Sequence, residues 1–145
     1  MQTMESLVVY FSRGGKTRKV AEAIAQELGC KSVDINKETP ALSGVDMLLV
    51  GSGNYVGKTD KKLLTFLKNL QPSSDKKAAV FATSGGLNPK VISVLQEALE
   101  AKGYKVVSGF KCRGQFLFSN RGHPNEDDLK NAKAFARDLK KTGGA

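Results

Sequence analysis

Five short apolar runs, rich in Val, Leu, Ile and Phe, alternate along the chain with longer segments in which apolar residues recur every three or four positions. Continuous apolar runs are typical of strands that are covered on both faces, and their alternation with helices is typical of β-α-β units. The pattern therefore predicts one parallel α/β sheet with helices on both faces. Because 145 residues suit one ordinary domain, we expect a single domain over residues 1–145.

Local signals give approximate bounds for these elements. The predicted strands are Ser6–Phe11, Lys31–Asn36, Val45–Gly51, Ala78–Ala82 and a fifth that begins at Tyr104. The predicted helices run from Lys16 to Leu28, from Asp60 past Leu70, from Asn88 to Gly103 and from Asn125 past Leu139. Gly29 is a typical stop for the first helix. We expect residues 142–145 to be a frayed tail.

Composition excludes several classes of protein. No apolar run approaches the ~20 residues that a membrane helix needs, and the first residues do not resemble a signal peptide. We therefore expect a cytoplasmic protein without membrane contact. Cys30 and Cys112 form no C-x-x-C pair, so we predict neither a metal site nor a dithiol motif, and we interpret both as buried thiols.

The charge balance predicts the kind of partner. The chain has 23 Lys and Arg residues against 14 Asp and Glu residues, for a formal net charge of +9. Such a field attracts acidic partners. Much of the charge consists of lysine pairs along predicted helix faces, and no segment interleaves basic and aromatic residues as single-strand binders do. We predict acidic partner proteins and no nucleic acid.

The turn after the first strand carries the strongest chemical signal. It consists of Ser12, Arg13, Gly14, Gly15, Lys16 and Thr17. Glycines let the backbone curl closely, hydroxyls can donate, and the following helix points its amides into the turn, so the segment predicts a phosphate site. A plain glycine-rich turn is the alternative. A P-loop is not predicted, because its first glycine would fall at Tyr10.

Two further turns contain small residues. After the third strand come Gly51, Ser52, Gly53, Asn54, Tyr55, Val56, Gly57 and Lys58, and after the fourth come Thr83, Ser84, Gly85, Gly86, Leu87 and Asn88. An aromatic ring on a glycine-rich loop suits stacking on a flat heterocycle. In a parallel sheet, ligands lie outside the carboxyl ends of the strands. Three such turns at that edge predict one ligand cleft.

The order of elements and these three turns together resemble the flavodoxin family over nearly the whole chain. The resemblance implies a three-layer doubly wound sheet of five parallel strands in the order 2-1-3-4-5, with FMN as the cofactor. It implies that the first turn holds the phosphate, where Ser12, Gly15 and Thr17 match the family pattern. Gly14 stands where a Thr is usual, so one hydroxyl contact is lost and Arg13 or Lys16 can offset it with charge.

For the flavin ring, the resemblance implies that Tyr55 stacks on one side and that the third turn meets the pyrimidine edge. The family's third turn usually carries an aromatic residue, and this one has none. Leu87, Phe116 and Phe118 are the alternatives for covering the other side of the ring. The sequence does not choose among them.

The resulting site prediction contains no catalytic residue and no metal ligand. The predicted cofactor-binding residues are Ser12, Arg13, Gly14, Gly15, Lys16, Thr17, Asn54, Tyr55, Val56, Gly57, Thr83, Ser84, Gly85 and Gly86. His123 is the only histidine, and we interpret it as a turn residue because no Ser, Cys or acid is placed to partner it.

The expected function is electron transfer between redox partners by a monomer. Two alternatives stay open at this point. One is an FMN-dependent NAD(P)H or quinone reductase on the same fold. The other is a module that keeps the fold but binds FMN weakly or not at all.

Overall fold

A computed structural model of the chain describes residues 5–12, 15–53, 61–84, 91–113 and 126–144. The strands are β1 (Ser6–Phe11), β2 (Lys31–Asp34), β3 (Met47–Gly53), β4 (Lys77–Ser84) and β5 (Lys105–Arg113). The helices are α1 (Lys16–Leu28), α2 (Lys61–Lys68), α3 (Val91–Glu100) and α4 (Glu126–Gly144). The predicted alternation of strands and helices is confirmed.

The five strands form one parallel sheet in the order β2-β1-β3-β4-β5. This is the order that the resemblance implied. The chain moves from β1 outward to β2 and then returns to the other side of β1 to form β3. Strand order therefore reverses between β1 and β3, and ligands of open parallel sheets bind beyond the carboxyl ends of the strands at such a point.

Alternate residues of each central strand face opposite helical layers, as the period of two requires. On one side, Val9, Val50 and Val80 of the sheet belong to a buried cluster with residues of α2 and α3. On the other side, Leu49 and Phe81 belong to a buried cluster with residues of α1 and α4. The fold is thus a three-layer sandwich, with its sheet buried on both faces.

Each helix contributes one apolar stripe to this core. In α1, Val20 and Ile24 are fully buried, four residues apart as the helical repeat predicts,. Gly29 ends the helix in the left-handed conformation at φ 70°, and the amides of the cap bond the carbonyls of Ala25 and Gln26. The predicted stop at Gly29 is confirmed.

Two glycines permit close approaches that no other residue could make. A Cβ on Gly51 of β3 would lie 2.0 Å from Cε2 of Phe81, its register partner on β4. A Cβ on Gly103, where φ is +89°, would lie 2.4 Å from the carbonyl oxygen of Ser73. The Phe81 ring therefore occupies the space over Gly51, and the chain after α3 packs directly on the backbone before β4.

Some element bounds differ from the sequence prediction. β2 ends at Asp34, because a turn over residues 35–37 begins there. β3 starts two residues later than predicted and continues to Gly53, since its pairing with β4 extends that far. α4 continues to Gly144, so the prediction of a frayed tail was wrong for residues 142–144. With no proline to interrupt it, the helical hydrogen bonding continues through these residues.

Candidate functional site

The turn after β1 stands where strand order reverses. The Oγ of Ser12 accepts a hydrogen bond of 2.9 Å from the backbone N–H of Gly15. Gly15 has a φ of 84° and a ψ of 0°, a left-handed conformation that glycine adopts without steric cost. Ser12 and Gly15 thus close the turn, and α1 begins at the next residue.

The start of α1 is suited to bind an anion. Its N-cap is Gly15, which has no side chain to accept hydrogen bonds from the first amides of the helix, and its first turn contains no acidic residue. The first amides of a helix have no intrahelical acceptor, and the helix dipole places partial positive charge there. Neither an N-cap side chain nor a first-turn carboxylate competes with a phosphate for these amides.

A pair of buried hydroxyls joins this helix start to β4. Thr17, the second residue of α1, is 2% exposed, and Thr83, near the end of β4, is 5% exposed. Their Oγ1 atoms lie 2.8 Å apart and share one hydrogen bond. The structure therefore brings together two predicted site residues that are 66 positions apart in sequence. Their contact with a ligand stays a prediction.

Ser52 is a candidate that the sequence prediction did not include. It is fully buried near the end of β3, where its register partners are Phe11 of β1 and Ala82 of β4. Its Oγ donates a hydrogen bond of 2.8 Å to the carbonyl of Gly53. A hydroxyl between two glycines at the end of an apolar strand was the available signal. Ser52 adds a third strand to the polar groups at this edge.

The structure places only some of the predicted site residues. Ser12, Gly15, Thr17 and Thr83 are described together with their contacts, whereas Lys16 and Ser84 are described by their backbone alone, as the first residue of α1 and the last of β4. The residues outside the described part of the chain are Arg13, Gly14, Asn54, Tyr55, Val56, Gly57, Gly85 and Gly86, and with them Lys58, Leu87, Phe116, Phe118 and His123. Their predicted roles stay predictions.

Burial raises the pKa of two ionisable side chains. The pKa of the Tyr10 hydroxyl is raised by burial and further by Asp34 and Glu22, with Arg18 opposing. Burial also raises the pKa of the Cys30 thiol, against the effect of a backbone hydrogen bond from Val8. Cys30 is half-buried, not internal as predicted, and it precedes β2 at the opposite edge of the sheet. Neither group is an anionic nucleophile near the turn after β1.

Comparison with known proteins decides the family. The family model of the flavodoxin domain matches residues 7–115. The chain belongs to the flavodoxin family. This flavodoxin-family protein is also 35% identical, over 95% of its own length and 99% of the relative's, to an uncharacterized protein of Methanocaldococcus jannaschii.

Solved structures share the fold of this family member. Oxidised flavodoxin 2 of Bacillus cereus is similar with a TM-score of 0.75 and 20% identity, over 95% of this chain and 99% of that one. The Flv1 flavodiiron core of Synechocystis sp. PCC6803 is similar with a TM-score of 0.74 and 20% identity, over 97% of this chain. This chain spans 37% of that flavodiiron chain, so it corresponds to about a third of the larger protein.

The described residues contain neither a metal-binding cluster nor a membrane-spanning helix. Within the part of the chain that the structure describes, no three His, Cys, Asp or Glu side chains are grouped so that they could hold a metal ion. Among the same residues, no helix is both long and apolar enough to cross a membrane.

Proposed function

We propose that this protein binds one FMN beyond the carboxyl ends of β1, β3 and β4 and transfers electrons between redox partner proteins. The observation that carries the proposal is the start of α1, where the N-cap glycine leaves the first amides without a side-chain acceptor. It lies where strand order reverses, which is the usual ligand position in such sheets. Membership of the flavodoxin family supports the same ligand.

The described residues fit the phosphate end of FMN. Amides at the start of α1 would hold the phosphate oxygens, and the hydroxyls of Ser12 and Thr17 lie at the same helix end. Gly15 adds no side chain at the helix start, and its positive φ disfavours its replacement by any other residue,. Tyr55 and the residues after β4 would hold the ring, as the family resemblance implies.

FMN supplies the redox chemistry when it is bound, and the protein supplies binding, orientation and electrostatics. The buried hydroxyls of Thr17 and Thr83 place polar groups beside the start of α1, on the face of the sheet that α1 covers. A reaction of this kind needs no general acid or nucleophile from the chain. The neutral Tyr10 and the remote Cys30 are consistent with that role.

The charge of the site edge favours acidic partners. Arg18 and Lys19 are exposed near the start of α1, and Lys61 and Lys62 are exposed at the start of α2. Both helices begin at the carboxyl edge of the sheet, so these four cations lie at the edge where FMN would be bound. Because opposite charges accelerate encounter, we propose that acidic proteins dock on this edge.

Electron transfer from the FMN-loaded, chemically reduced protein should depend on the charge of the acceptor. We expect the rate with ferricyanide, an anion, to fall as salt is raised from about 20 mM to about 500 mM. The rate with tris(phenanthroline)cobalt(III), a cation, should rise over the same range. Stopped-flow absorbance of the flavin measures both rates.

A matched pair of charge reversals locates the docking edge. Lys19→Glu with Lys61→Glu changes two exposed lysines at the carboxyl edge, and Lys31→Glu with Lys105→Glu changes two at the amino edge. The net charge changes equally in both. We expect the first pair to slow ferricyanide reduction at low salt about 3- to 10-fold more than the second pair does. Equal effects of the two pairs would contradict docking at the site edge.

A further inference from the structure

Among the described residues, the hydrogen bond that joins Thr17 and Thr83 uses only one of the two hydroxyl protons of the pair. Two threonine hydroxyls have two protons, and the 2.8 Å contact between their Oγ1 atoms uses one of them. Either atom could be the donor in that contact. Both side chains are at least nine-tenths buried, so the direction of the bond depends on what else accepts a proton nearby.

The direction of the Thr17–Thr83 hydrogen bond matters because Thr17 lies at the start of α1, where the phosphate is proposed to bind. Threonine in a helix divides between two side-chain rotamers, and a fixed acceptor or donor on β4 can select one of them. An anion accepts hydrogen bonds and donates none. A phosphate beside Thr17 would therefore take the Thr17 proton, and Thr83 would then donate to Thr17.

We propose that Thr83 is a positioning residue for the phosphate end of the site, an inference that rests on the proposed binding of FMN. Its hydroxyl donates to Oγ1 of Thr17, selects the Thr17 rotamer and leaves the Thr17 proton for a phosphate oxygen. A chain of two hydroxyls ending on an anion is polarised along its length, which strengthens each bond. Thr83 thereby contributes to the preference for FMN over riboflavin without touching the ligand itself.

The test is the ratio of the dissociation constants for riboflavin and FMN, measured on the full chain by flavin fluorescence. Thr83→Val keeps the shape of the side chain and removes the hydroxyl. We expect it to lower the preference for FMN about 5- to 10-fold, which is the usual net effect of one hydrogen bond. Thr83→Ser restores the hydroxyl and should stay within about 2-fold of the original protein. Thr83→Ala is a second truncation, should the valine variant not fold.

The control is Val80→Thr, which adds a threonine hydroxyl to β4, whereas Thr83→Val removes one from the same strand. Val80 is buried and faces the α2 and α3 layer, whereas Thr83 contacts α1. The control introduces a buried hydroxyl away from the phosphate end, so it should lower stability and leave the ratio unchanged.

Three results would overturn the inference. The riboflavin-to-FMN ratio could stay unchanged in both Thr83→Val and Thr83→Ala. Thr83→Ser could fail to restore the original ratio. Val80→Thr could lower the ratio as much as Thr83→Val does. If the original protein prefers FMN and both Thr83→Val and Thr83→Ala keep that preference, only the role of Thr83 fails. If the original protein binds neither flavin, the proposed function fails and the inference fails with it.

Discussion

Gly51→Ala is expected to lower the free energy of unfolding by about 3 kcal/mol, at the upper end of the usual cost of overpacking a core. The new Cβ would lie 2.0 Å from Cε2 and 2.1 Å from Cζ of Phe81. The Phe81 ring is fully buried among residues of α1 and α4, so it has no open space to move into. For a chain of this size the loss corresponds to a fall in Tm of about 10 °C. Urea unfolding followed by circular dichroism measures it.

Two comparisons separate the ring clash from a general effect of alanine. Gly109 is a strand glycine in the same sheet, and a Cβ there would meet its nearest neighbour, Cγ2 of Val80, at 3.4 Å. Gly109→Ala should therefore change stability by less than about 1 kcal/mol. Adding Phe81→Leu to Gly51→Ala should make the double variant more stable than the sum of the two single effects predicts. Strict additivity would contradict the proposed contact.

Ser12→Asp is expected to weaken FMN binding at least about 100-fold. Aspartate can accept the Gly15 amide as Ser12 does, so the turn should be kept. It places a negative charge beside the site proposed for the phosphate. Two like charges ~5 Å apart at an effective dielectric constant of ~20 repel by about 3 kcal/mol, or roughly 100-fold in affinity. Calorimetric titration with FMN measures the loss.

Ser12→Asn is the matched control, since it has the shape of the aspartate variant without its charge. We expect it to bind FMN within about 5-fold of the original protein. Thermal unfolding without ligand should show that Ser12→Asp is at least as stable as Ser12→Asn, because a carboxylate at a helix N-terminus is favourable. Equal FMN affinity of the two variants would contradict phosphate binding at this helix start.

The sheet and its layers could be predicted from the sequence because each depends on local, repeated signals. Val20 and Ile24 in α1, and Leu95 and Leu99 in α3, recur at helical spacing and are all fully buried. Gly29 is a strong helix stop because its left-handed conformation excludes most other residues,. The strand order came from the resemblance to a family and not from the pattern alone.

The contacts at the site depend on register and could not be predicted in the same way. The Thr17–Thr83 hydrogen bond requires β4 to end beside the start of α1, and no local signal specifies how far a strand extends. Ser52 falls in the turn predicted after the third strand, whereas pairing with β1 and β4 keeps it in β3. The clash that excludes a side chain at Gly51 likewise depends on its register partner Phe81.

Titration of the flavin-free protein with FMN, followed by quenching of flavin fluorescence, shows whether the start of α1 holds a phosphate. We expect saturation at one FMN per chain. We also expect FMN to bind at least about 10-fold more tightly than riboflavin, because the start of α1 would add hydrogen bonds to a charged group. An excess of FMN that produces no saturable quenching, or equal affinity for the two flavins, would contradict a phosphate held at the start of α1.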